Sequence, residues 1–263
     1  DAVHDLATVD LTNSAWTQQI PATTGDLERV ALASTGRFAA RQRQRDHQLE
    51  RLDLERGLVT ALPAGCGSWS AATLPSLHVA DDGRVLLGDT AGHACLWTAD
   101  AVYPLAIPAD RIQGLDFAPD GAGFAIATVA EQVLRWDRPE AEPERLTGGG
   151  LHYSPDGATA LLRAHPHPRL LPRGRDPIDL GLTQDHEIQA AFAPDSRSVA
   201  LHHDGAVHLF DTGDGHLVRR LSAPPPIDRT IMSQGLHFAP SGRAIALAEG
   251  DRIYRWSLAG PDE

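Results

Sequence analysis

An all-β chain assembled from repeated small sheets is what this sequence predicts, and three observations carry that expectation. An eight-residue phrase recurs six times: "VALASTGR" from Val30, "LHVADDGR" from Leu77, "LDFAPDGA" from Leu115, "LHYSPDGA" from Leu151, "AAFAPDSR" from Ala190 and "LHFAPSGR" from Leu236. Successive copies begin 47, 38, 36, 39 and 46 residues apart, close to the length of one four-stranded propeller blade. Gly and Pro also arrive too often along the chain for long helices. The fold expected is therefore a β-propeller of six blades, with seven as the alternative. Each blade has four antiparallel strands, a to d from the inside outwards.

The phrase itself spells the end of strand a and its reversal. An apolar triplet favours a strand. Pro supplies the φ wanted at the second turn position, Asp bonds its own backbone, and Gly accepts the positive φ that ends the turn. Strand b follows, as in "FAIATVA" at 124–130, "SVALHH" at 198–203 and "AIALAEG" at 244–250. Strand c comes after a short polar turn: "ACLWTAD" from Ala94, "QVLRWDR" from Gln132, "AVHLFDT" from Ala206 and "RIYRWSL" from Arg252. Strand d closes most copies, with "LVTALPA" at 58–64, "VYPLAIPA" at 102–109 and "LVRRLSA" at 217–223. Strands that are apolar on both faces suit sheets stacked between neighbours.

Two stretches test this reading. "RFAARQRQRDHQLERLDLERG" at 37–57 is rich in helix formers, yet it lies where strands b and c of the first copy belong, so strands are expected. "AHPHPRLLPRGRDP" at 164–177 puts Pro172 beside the bulky residue of strand c; Pro lacks a ladder N–H, so the fourth copy is expected to be short or irregular.

The ends suggest closure. Residues 1–22 read as strands c and d, and the last copy stops after strand c, so "AWTQQIPA" is the expected fourth strand that seals the ring and removes its edges. Two c-like segments, 3–11 and 252–258, then compete for one place, which keeps seven blades open. Residues 1–263 are expected to form a single propeller domain, monomeric, and the start at Asp1 suggests the C-terminal part of a longer protein.

At the Pro-Asp-Gly turns and the strand-c pair Trp136-Asp137, with Phe210-Asp211 and Leu52-Asp53 as variants, the chain resembles the WD-repeat β-propellers, in a degenerate form of bacterial type. The Gly-His pair that family places before strand a is missing. The resemblance implies a non-catalytic protein-interaction or sensor module, regulatory within a larger signalling protein such as one carrying a kinase, a caspase-like protease or a signalling ATPase. Two rivals stand beside it: a metal-dependent hydrolase with its site on the channel axis, and a periplasmic propeller of the Tol type.

Composition narrows the partners. The chain is 42% hydrophobic and carries a net charge of −12, which disfavours nucleic acid as a main partner. All 23 basic residues are Arg. No apolar run is long enough for a membrane span. The partner expected is a protein or another domain of the same polypeptide. Cys66 and Cys95 make no zinc spacing and are expected as free thiols, which suits a reducing, cytoplasmic compartment, with the periplasm as alternative.

Candidate site residues are few. His78, Asp116, His152 and His237 occupy one equivalent place in strand a, with Ala31 and Ala191 in two other copies; they are expected to line the channel, solvated or backbone-bonded, without a metal or other cofactor. Arg41, Arg43 and Arg45 alternate along one strand and so share a face. They are the candidate docking surface for an acidic partner, unless Glu50, Asp53 or Glu55 pairs with them locally. The histidines of "HPHP" at 165–168 and "HH" at 202–203 fall in or near b–c turns and are expected to be solvated. No nucleophile elbow, phosphate loop or HExxH is present, so no catalytic residue is expected.

Overall fold

The computed structural model describes the chain except residues 1–5, 11–14, 21–26, 44–45, 64, 67–75, 109, 120, 122, 184–188, 223–232, 250–251 and 259–263. The described residues form strands and turns. Five sheets have four strands each: sheet one, β3 (Leu27–Leu32), β4 (Phe38–Arg43), β5 (Leu49–Asp53) and β6 (Leu58–Ala61); sheet two, β7 (Ser76–Val79), β8 (Val85–Gly88), β9 (Ala94–Trp97) and β10 (Val102–Leu105); sheet three, β11 (Ile112–Phe117), β12 (Phe124–Thr128), β13 (Gln132–Trp136) and β14 (Glu144–Thr147). Sheet four holds β15 (Leu151–Tyr153), β16 (Thr159–Leu162), β17 (Arg169–Pro172) and β18 (Ile178–Asp179), and sheet five β19 (Gln189–Phe192), β20 (Ser198–His203), β21 (Ala206–Asp211) and β22 (Leu217–Ser222). Sheet six has three strands, β23 (Ser233–Phe238), β24 (Ala244–Glu249) and β25 (Arg252–Ser257). Neighbouring strands follow chain order as an antiparallel meander.

The stretch at 37–57 is indeed two strands: β4 and β5 pair directly, with Ala39 opposite Leu52 and Arg41 opposite Glu50. Burial overrides helix propensity here, since Ala39 and Leu52 are both fully enclosed. Sheet four has the expected defect. Pro172 ends β17 opposite Thr159 and the outer strand β18 shrinks to two residues. At the N-terminus, β1 (Leu6–Asp10) and β2 (Ala15–Ile20) pair as a hairpin, as a c–d reading of 1–22 requires. Among the described residues, β2 is bonded to β1 and sheet six ends at β25, so the sealing role expected of "AWTQQIPA" is not among their strand pairs.

The six phrases fold into one turn. In each copy the seventh residue's N–H donates to the carbonyl three positions back, as Gly36 to Ala33, Gly121 to Ala118 and Gly242 to Ala239, at 2.8–3.0 Å. That seventh residue has positive φ in every copy, from 61° at Ser196 to 84° at Gly83. This left-handed conformation costs a side-chain-bearing residue roughly 1–2 kcal/mol, which explains the Gly. Asp82, Asp156 and Asp195 each accept the N–H two residues on, at 2.9–3.0 Å, so the Asp of the phrase is a turn device.

The chain falls into two compact units, Asp1–Ala130 with Leu134–Leu146, and Glu131–Val133 with Thr147–Glu263. In the first unit β8 is buried at all four positions because its faces serve different neighbours. Val85 and Leu87 join Ala40, Leu49 and Trp97, whereas Leu86 joins Phe117, Phe124 and Ile126. Sheet five does the same in the second unit: Val199 and Leu201 pack with Leu161 and Leu170, and Ala200 with Leu236, Ile245 and Leu247. Each enclosed Leu, Ile or Phe contributes about 1.5–3 kcal/mol of transfer free energy, and the near-continuous apolar strands follow from this double burial.

Cys66 and Cys95 are not free. They are disulfide-bonded with their Cα atoms 5.7 Å apart, inside the usual range for a bridge. The chain positions give no hint of this. The bond forms because the segment after β6 returns over β9, where Cys66 and Cys95 share one apolar cluster.

Candidate functional site

The turns gather the first unit's polar groups at one place. A cavity of about 590 Å³ opens where the a–b turns of sheets one, two and three come together, lined among others by Leu32, His78, Asp81, Arg84 and Phe117. Leu32 ends β3 and is 55% exposed, an unusual amount of apolar surface for a strand residue beside a core. Phe117 ends β11 and is buried against Phe124, which stacks on Trp136.

Asp81 ties two turns together. Its carboxylate accepts Ser34 Oγ at 2.7 Å, Thr35 N–H at 2.9 Å and Thr35 Oγ1 at 3.1 Å. Burial pushes the carboxyl upward, but these bonds together outweigh it and hold its pKa below the usual carboxylate value, so Asp81 is ionised at neutral pH. Asp82 accepts Arg84 Nε at 2.7 Å, and the Arg84 guanidinium lies 5.1 Å from the Phe117 ring centre. Arg84 Nη2 is enclosed with no acceptor. Among the described residues, the lining therefore carries one guanidinium, already engaged, and two carboxylates.

Of the four expected channel residues, the fold brings two together. His78 Nδ1 donates to the Leu115 carbonyl at 2.8 Å and stands 3.7 Å from Asp116 Oδ1. A carbonyl only accepts, so Nδ1 carries the hydrogen of this contact. His152 on β15 and His237 on β23 are exposed on strands of the second unit.

The arginine strand is placed differently from the docking surface expected of it. Arg41 is 3% exposed and Glu50, directly opposite, 6%. Arg41 Nε donates to Glu50 Oε2 at 2.7 Å. Arg43 Nη1 reaches Glu50 Oε1 at 3.3 Å, and its Nε donates to Asp46 Oδ1 at 3.0 Å. Local pairing has taken both cations, and the Arg41 head is beyond a partner's reach; Arg45 lies outside the described residues. The alternation correctly puts Arg41 and Arg43 on one face, but that face is turned inward.

One group was missed in the sequence. Asp211, Asp214 and His216 in the c–d turn of sheet five bring their ligand atoms within 4.8 Å of one another. Asp211 Oδ1 accepts Gly213 N–H at 2.7 Å, and Asp214 Oδ1 accepts both His216 N–H and Nδ1–H. These bonds organise the turn itself. The histidines of the b–c turns are not uniformly solvated: His202 and His203 are half-buried and His165 is exposed, while His203 Nε2 lies 3.4 Å from Asp204.

Antiparallel four-stranded sheets repeated along the chain, each opened by the same turn, are those of a β-propeller. The crystal structure of the Cps50 (Swd1) beta-propeller domain of Myceliophteria thermophila is similar to this chain, with a TM-score of 0.61 over 97% of this chain and 91% of that one, at 14% identity. No family model and no curated protein matches the sequence.

Proposed function

We propose that this chain is a non-catalytic interaction module, a single propeller regulating a larger bacterial signalling protein through what it binds. The observation that carries this reading is the cavity at the a–b turns, where an exposed Leu32 and an ionised Asp81 meet on rigid elements. A site built on turns pinned by two carboxylates and backed by the Phe117 packing presents a preformed surface, which is what selective docking needs. The fold likeness supports a scaffold role by analogy alone.

A second observation favours the periplasmic alternative over the cytoplasmic expectation. The reducing compartment rested on two free thiols, and the bonded Cys66–Cys95 pair supports an oxidising one.

Plugging the cavity tests the docking role. Leu32→Trp fills it from an exposed position, where substitutions cost little stability. Affinity capture from the source organism with wild type and variant should lose a partner on plugging. Equal recovery of every captured protein, with the variant folded, would remove this cavity from the interaction.

A further inference from the structure

We propose that the cavity at the a–b turns of sheets one to three receives a basic side chain, an arginine or lysine on an extended segment of a partner protein. The proposal rests on the docking reading above and adds the chemistry of what docks.

Charge decides between the possible occupants. Arg84, the basic residue of the lining, is committed to Asp82 through Nε and to the Phe117 face, and its Nη2 is enclosed. Among the described lining residues, an incoming anion would therefore meet two carboxylates and a guanidinium already paired with Asp82. Asp81 is different. Its three bonds come from neutral donors, two hydroxyls and a backbone N–H, so they order the carboxylate without cancelling its charge. Oδ2 takes one of those three, and a carboxylate oxygen has two lone pairs, so it can accept another N–H. His78 lines the same wall, its Nδ1 held by the Leu115 carbonyl. The site offers acceptors and negative charge.

Shape agrees with a long side chain. Leu32 and Val79 line the cavity with apolar surface, which suits the methylene stem of Arg or Lys, and the carboxylates suit its head. At long range a chain of net charge −12 attracts a basic partner and speeds the encounter.

The probe is a short peptide of alternating arginine and glycine, capped at both ends and fluorescein-labelled, read by polarisation against the full chain. Two control peptides replace arginine by serine or by glutamate. Binding of the arginine peptide should weaken about tenfold or more in Leu32→Trp and in Leu32→Arg, and about threefold to tenfold in Asp81→Asn, with less salt dependence in the last. Asp81→Asn keeps the size and an accepting oxygen for Ser34 and Thr35. Should that variant fail to fold, the two changes at exposed Leu32 still decide.

Arginine-peptide binding that survives the plug would be attraction to the acidic surface at large and would overturn the proposal. Binding of the serine or glutamate peptide that the plug abolishes would overturn the basic chemistry while keeping the docking site. If no peptide binds, yet plugging still loses a captured partner, the charge assignment fails alone; if plugging changes neither, both readings fail.

Discussion

Sheets one and two of the first unit are joined differently from sheets four and five of the second, although both pairs use the same turn. Between sheets one and two run the Cys66–Cys95 bond, the three Asp81 bonds, and Arg51, whose guanidinium donates to the Gly83 carbonyl at 3.4 Å and covers Trp97 at 5.0 Å. Between sheets four and five, Asp156 N–H donates to Ser196 Oγ at 3.0 Å and an apolar cluster of Leu161, Leu170, Val199 and Phe210 fills the seam. The repeat therefore specifies a sheet and its first turn. What joins one sheet to the next is written separately at each seam, in residues that need not recur. That makes the first unit sensitive to charge and redox chemistry, and the second to the protonation of what lies among its apolar groups.

The contrast breaks hardest at β4. Arg41→Ala should destabilise the first unit by about 3–5 kcal/mol, toward the lower end because Arg43 still faces Glu50, since the change strands a buried carboxylate. Urea denaturation measures it, and Arg41→Met with Glu50→Leu should restore most of the loss. A single-site cost below about 1 kcal/mol would show that the pair is not the buried contact described.

Reduction comes next. Opening the bridge, which spans 29 residues in sequence, should cost about 2–4 kcal/mol. Hydrogen exchange with and without reductant locates the effect: amides of β7 to β9 should lose protection while those of β19 to β21 keep theirs. Equal losses in both would mean the two units melt as one.

Acid should strike the other side. His208 on β21 is buried, and burial first, then Arg220 and the neighbouring His203 and His202, hold its pKa below the ordinary 6.5, with Asp204 opposing. The ring is neutral in the fold. As pH falls through the unfolded value near 6.5 the unfolded chain takes up this proton first, so stability declines until the folded value is passed. His216 has the opposite sign. Asp214 raises its pKa, so its contribution is present below the unfolded value and lost as pH rises through the folded one. Protection of β20 to β22 amides should fall on acidification in wild type and much less in His208→Gln. An unchanged acid response in that variant would take His208 out of the account.

The smallest effect separates strain from bonding at Ser196. Ser196→Gly relieves a φ of 61° but loses the Asp156 bond, and the two roughly cancel. Ser196→Ala loses the bond and keeps the strain, so it should be about 1 kcal/mol less stable than the Gly variant. Indistinguishable thermal melts of the two would mean the turn stores no strain there.

The legible part of this fold was the local part. The Pro, Asp and Gly of each copy act where the chain itself puts them, so six turns, their strands and the weak fourth copy around Pro172 could all be read directly. Seams were another matter. Cys66 meets Cys95 and Asp81 meets Ser34 through the stacking of sheets, and no spacing in the chain encodes that. The arginine strand shows the same limit: period two put Arg41 and Arg43 on one face, but which face is inward depends on what Glu50 and Leu52 do opposite. The cavity was visible in one residue of its wall, His78; much of the rest is turn residues whose first duty is the turn.

The two-residue outer strand of sheet four has a consequence for handling the protein. Beyond β17 the chain runs through Arg173 to Pro177 with every residue exposed, and β18 then offers two residue pairs to hold it. A protease must draw several residues into extended backbone to fit its cleft, and here the exposed turn has to open two hydrogen bonds beside an arginine, Arg173 N–H to the Ala158 carbonyl and Arg175 N–H to the Pro172 carbonyl. Brief digestion with trypsin should nick the native chain first after Arg173, dividing it within sheet four and leaving the sheets on either side intact.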